Sequence, residues 1–113
     1  MQRLQLFERV HITLDTDGAG RAQLGPLGTH ERWDVSEVIV RVSPAVLVPS
    51  ARLYAGNVVD AHYRAGSYTG HQDTATFDPP VPLLSAEYLT IVWADGDPGA
   101  AASMELRGWK YLG

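Results

Sequence analysis

The stretch Glu87 to Tyr111 constrains this chain more than any other: EYLTIVWAD, the turn Asp95-Gly96-Asp97-Pro98-Gly99, then AAASMELRGWKY. Leu89, Ile91 and Trp93 alternate with their neighbours and therefore fall on one face of an extended chain, since successive strand side chains point to opposite sides. The β-branched and aromatic composition favours a strand over a helix. A Gly/Pro-rich turn followed by alternating Met104 and Leu106 predicts an antiparallel return. The expected unit is the central hairpin of a small β-sandwich, and it carries no recognisable chemistry.

The same period of two recurs along the chain. Phe7 to Asp15 places Val10, Ile12 and Leu14 inward and Arg9, His11 and Thr13 in water. Asp15 to Gly20 supplies turn residues, and Arg21 to Leu24 is expected to return as the second arm of a hairpin. From Trp33 to Val42 the apolar phase slips, with Trp33 and Val35 on one parity and Val38, Val40 and Val42 on the other. A bulge near Ser36-Glu37 restores both groups to one face, because one extra residue shifts the pleat by one.

Pro44 and Pro49 bracket an apolar linker expected to cross between sheets, and Ala51 to Gly56 is a short strand, with Val58 to Tyr63 a candidate for another. Arg64 to Asp73 reads as an exposed polar loop. Thr74 to Asp78 is a strand, after which Pro79, Pro80 and Pro82 are expected to stop ladder pairing and leave Val81, Leu83 and Leu84 as an irregular apolar plug. No window shows sustained helical periodicity with caps. The expected fold is all-β: a single antiparallel β-sandwich, jelly-roll-like, of about eight strands with no substantial helix. Residues 1–6 form an N-terminal arm or short strand, and 7–113 the single sandwich domain.

Composition removes several function classes. A chain of 113 residues with 45% hydrophobic and 19% charged residues suffices for one packed core. A net charge of −4 with scattered Lys and Arg argues against a nucleic-acid or anionic-membrane partner. With no cysteine, disulfides, thiolate metal sites and cysteine nucleophiles are excluded. The opening MQRLQLFERV lacks the continuous apolar core of a signal peptide, so the expectation is a protein kept or assembled in a cytosol.

The polar residues make no constellation that demands chemistry. Asp15 and Asp17 near Gly18, and Asp95 and Asp97 near Gly99, offer oxygen ligands but lack the EF-hand spacing and its bidentate Glu, so turns are preferred to calcium sites. His11, His30, His62 and His71 show no paired metal-ligand spacing. There is no G-x-S-x-G, no Walker loop and no dinucleotide fingerprint. The expectation is a protein with no catalytic residues, no metal and no cofactor.

The aromatics carry more weight. Trp33 and Trp93 share parity with core aliphatics and are expected in the core. Trp109 and Tyr111 share parity with Glu105 and Arg107 instead. Either a bulge at Gly108 turns them inward, or they form an outer apolar patch. With Tyr54, Tyr63 and Tyr68 they are the candidate binding or interface residues, for a protein partner or for sugar rings.

Taken together, VHITLDTDGAGRAQLGPLG, WDVSEVIVRVS, ARLYAGN, SYTGHQDTA and EYLTIVWADGDPGAAASMELRG resemble small β-sandwich proteins encoded among the virion structural genes of tailed phages that infect actinobacteria. The resemblance spans nearly the whole chain and rests on strand and turn phrases. It implies a non-enzymatic virion component, a capsid-decorating or minor capsid protein, assembled in the host bacterial cytoplasm. Its partners would be the major capsid or other virion proteins, with the chain a homo-oligomer or bound to the capsid lattice. The alternatives are a tail-associated module or a carbohydrate- or host-surface-binding sandwich.

Overall fold

The computed structural model describes residues 2–43, 47, 49–56, 58–68 and 72–112, without the side chains of Gln2, Asp60, Ser67 and Tyr68. Eight strands run in chain order: β1 (Gln2–Thr13), β2 (Gly20–Leu24), β3 (Arg32–Val42), β4 (Ser50–Ala55), β5 (Tyr63–Tyr68), β6 (Gln72–Leu83), β7 (Leu89–Ala94) and β8 (Ala101–Leu112). One 3-10 turn, Asp60–His62, is the only helical element among the described residues. The strands form two antiparallel sheets, ordered β1-β8-β3-β6 in sheet A and β2-β7-β4-β5 in sheet B. That order is the double Greek key of a jelly roll, so the expected all-β sandwich is present.

Among these strands only β4 and β5 pair as a sequence-adjacent hairpin. The two hairpins expected from the sequence are therefore corrected. β1 pairs with β8, not β2, and β7 pairs with β2 and β4, not β8. Each Asp/Gly turn instead carries the chain from one sheet to the other. The two turns meet at one end of the sandwich, where the Gly96 N–H donates to the Gly18 carbonyl at 3.0 Å and the Gly99 N–H to the Leu14 carbonyl at 3.0 Å. A Cβ on Gly18, which has φ +72°, would collide with the Gly96 carbonyl, so this close approach needs glycine.

The phase slip in β3 has the expected cause. Register with β8 and β6 shifts between Val35 and Glu37, which makes Ser36 the extra residue, and Trp33, Val35, Val38, Val40 and Val42 are all buried. Opposite them in sheet B, Leu89, Ile91 and Trp93 are fully enclosed, joined by Met104 and Leu106 of β8. Trp33 and Trp93 are core residues, as their parity required.

Two other readings are revised. The prolines do not end pairing: β6 runs to Leu83, with Val81, Pro82 and Leu83 opposite Val35, Asp34 and Trp33. As an edge strand it needs only one hydrogen-bonding side, and proline is tolerated on the other. Leu83 is buried, but Leu84 is exposed. The expected strand at Val58 to Tyr63 is largely the 3-10 turn, and β5 lies in what read as a loop. The remainder of that loop, 69–71, and most of the Pro44–Pro49 linker lie outside the described residues, although the strands flanking the linker do belong to different sheets.

Candidate interaction surface

Pairing of β8 with β1 runs without interruption from Gln2↔Leu112 to Thr13↔Ala101. Parity on β8 therefore never changes, and the residues that alternate with buried Met104 and Leu106 all lie on the outer face of sheet A. These are Ser103, Glu105, Arg107, Trp109 and Tyr111. Gly108 accommodates the bulge of the neighbouring strand rather than reversing its own: at φ +152° it lies against β3, where a Cβ would collide with the Asp34 carbonyl. Trp109 is accordingly 41% exposed and Tyr111 half-buried.

The register then brings arginines onto the aromatics. The Arg3 guanidinium lies 4.1 Å from the Trp109 ring centre, Arg32 4.4 Å from Tyr111, and Arg107 4.9 Å from Phe7. At these separations the ring quadrupole attracts the cation, and the planar guanidinium stacks on the ring. Phe7, 58% exposed, is the most open aromatic of this face. Arg32 also contacts Asp34 at 3.3 Å.

Farther along the same face, Glu105 is 2% exposed. Its carboxylate meets Arg107 at 2.7 Å, Arg41 at 3.5 Å and Arg9 at 4.0 Å. The Arg9, Arg41 and Arg107 side chains lie partly covered over this part of the sheet, Arg41 with its Nη1 buried, and Ile39 and Ser103 are buried here on an outer surface. The reading of Lys and Arg as scattered is thereby corrected: five of the nine, Arg3, Arg9, Arg32, Arg41 and Arg107, gather on this face with Asp34, Glu37 and Glu105. Each of the five guanidiniums is held against a ring or a carboxylate, so the face is a cross-linked polar and aromatic surface, not a free basic one.

The other candidates sit elsewhere. Tyr54 is buried on the outer side of sheet B, with the Tyr63 ring edge-on at 5.8 Å, and Tyr63 is 46% exposed. Tyr68 ends β5, but its side chain lies outside the described residues. Trp109 and Tyr111 are thus brought together on one sheet, and Tyr54 and Tyr63 on the other; the two groups do not converge.

The acidic turns are internally used. Asp15 Oδ1 accepts the Asp17 and Ala19 N–H groups at 2.8 and 3.0 Å, and Asp97 Oδ2 accepts the Leu47 N–H at 3.1 Å. Among the described residues, no group of three or more His, Asp or Glu side chains is placed to hold a metal. A cleft of about 470 Å³ between the sheets includes His62, Arg64, Glu87 and Tyr88, but Glu87 Oε1 is engaged by the Leu84 N–H at 2.7 Å. No helix of the described chain is long and apolar enough to cross a membrane.

No protein-family profile and no curated protein sequence matches the chain. Solved structures share its fold. A virus-like particle protein of the Macrobrachium rosenbergii extra small virus superposes with TM-score 0.53 at 10% identity, covering 100% of this chain and 82% of that one. The Yersinia pseudotuberculosis-derived mitogen gives 0.52 at 9% identity, over 92% and 86%. The galactose-bound family 32 carbohydrate-binding module of C. perfringens NanJ gives 0.50 at 12% identity, over 88% and 100%. At such identities the likeness is one of fold alone.

Proposed function

We propose that this protein is a non-enzymatic virion structural component, a capsid-decorating or minor capsid protein that works through protein contacts on the outer face of sheet A. The observation that carries the reading is the register that lines up Phe7, Trp109 and Tyr111 with Arg3, Arg32 and Arg107 on one broad sheet. Aromatic residues and arginine are the types enriched at protein interfaces, and a rigid antiparallel sheet holds them with little left to order on docking. The jelly roll is a fold of viral shells and of lectins alike, so the fold is compatible with the virion role that the sequence resemblance implies.

The carbohydrate-binding alternative has weaker support. It needs open aromatic faces converging on a groove, whereas Trp109 carries Arg3 at 4.1 Å over its ring and Tyr63 lies on the other sheet. Mass spectrometry and electron microscopy of particles purified from the host that carries the gene test the proposal. The protein is expected at a fixed copy number on the head. Its absence from particles overturns the virion reading, and density on the tail alone replaces decoration with the tail-associated alternative.

A further inference from the structure

The four edge strands of the sandwich are not alike. β2 has five residues and β5 six, and β6 carries Pro79, Pro80 and Pro82. Short length and proline both blunt an edge against pairing with another chain. β1 has neither protection. It runs twelve residues, Gln2–Thr13, with no Pro, Gly or Lys, and pairs with β8 without a bulge. Among the described residues its other edge pairs with no strand. Phe7, 58% exposed, stands at its middle, and Leu4 is 39% exposed.

We infer that β1 is a self-association edge: two copies pair their β1 strands antiparallel about a two-fold axis through Phe7, joining both A sheets into one continuous eight-stranded sheet. The register follows from overlap, face and charge: only an axis near the middle of the twelve-residue strand, on Leu6, Phe7 or Glu8, keeps most of β1 paired. Residues directly opposite in an antiparallel pair share a face, so the axis falls on a residue and not between two. An axis on Leu6 sets Arg3 against Arg9 of the second copy, and an axis on Glu8 opposes the two Glu8 carboxylates. Like charges directly opposite are destabilising.

An axis on Phe7 avoids both. On the outer face Phe7 meets Phe7, Gln5 meets Arg9 and Arg3 meets His11; on the inner face Leu4 meets Val10 and Leu6 meets Glu8. Glu8 keeps its own Lys110 at 2.8 Å. The paired strip is about 35 Å long and about 10–15 Å deep, on the order of 1,000 Å² over both copies, the lower end for a specific interface. An isologous, concentration-dependent dimer is the expected state. The inference does not depend on the virion reading, since it concerns the isolated chain.

Because the chain has no cysteine, single substitutions report the register directly. A disulfide needs Cβ atoms about 3.5–4.5 Å apart, a separation approached only by residues that face their own copies across the axis, at about 4.5–5.5 Å. With oxidised glutathione, full-length Phe7→Cys is expected to cross-link at least tenfold faster than Gln5→Cys or His11→Cys. Sedimentation of the wild type should show a dimer at tens of micromolar, and Phe7→Lys should raise its dissociation constant at least tenfold while leaving the circular dichroism spectrum unchanged. Equal cross-linking at the three positions, a monomeric wild type at several hundred micromolar, or an unweakened Phe7→Lys dimer would each overturn it.

Discussion

Arg107 Nε donates to Glu105 Oε2 at 2.7 Å from only two residues away on the same strand, on the outside of a sheet, yet Glu105 is almost sealed from solvent. Arg9 and Arg41 complete the enclosure from the two flanking strands. The carboxylate is the hub, because three cations share it while each of them keeps contact with water. Removing the hub leaves neighbouring guanidiniums to repel one another; removing one spoke leaves the other two. Glu105→Ala is expected to cost about 2 kcal/mol and Arg9→Ala less than about 1 kcal/mol, the arginine being far more exposed. Urea denaturation of both variants checks the order, and an equal or reversed ranking contradicts the hub.

Gly108 lies where the bulge of β3 presses the two strands together. Gly108→Ala introduces a Cβ that must displace the Asp34 carbonyl, at a φ of +152° that other residues avoid. The expected loss is about 3 kcal/mol, at the upper end for backbone strain. A thermal melt within two degrees of wild type would mean that the close approach is not as described.

Trp93 fills the centre of the core at 0% exposure, yet its Nε1 has no hydrogen-bond partner among the described residues. Trp93→Ala should cost about 3–5 kcal/mol through loss of contacts and the cavity left behind. Trp93→Phe should cost about 1 kcal/mol or less, because the smaller ring loses packing but no longer buries an unpaired donor. Comparison of the two by chemical denaturation separates volume from polarity at one site.

Trp109 separates stability from function. Its ring is 41% exposed on the proposed docking face, so Trp109→Ala should change unfolding free energy by about 1 kcal/mol or less. Incorporation into particles, measured by quantitative mass spectrometry, should fall at least tenfold, as for a buried aromatic anchor of an interface. Normal incorporation of a folded variant would remove Trp109 from the interface.

The bulge near Ser36 was legible because it leaves a local mark: two apolar groups of opposite parity in one strand. The burial of Trp33 and Trp93 was legible for the same reason. β5 was not, since Tyr63, Arg64, Ala65 and Gly66 lie on an edge with little apolar face to bury and show no alternation. β6 was cut short because proline argues against a central strand, and nothing in the sequence told that this strand would be an edge. Glu105 gave no signal at all: Arg9 and Arg41 come to it from distant parts of the chain.

The sequence alone determined most of the strands and which side of them is apolar, because alternation with period two acts between near neighbours, but not β5 or the full length of β6. It also supplied the turn residues that close the ends of the sandwich. Only the tertiary structure decided which strand lies beside which, turning two apparent hairpins into crossings between sheets. That choice depends on pairing over long sequence separations and on filling one common core, energies that no short window contains. The arginine-stacked face of Trp109 and Tyr111 and the open edge of β1 both follow from it.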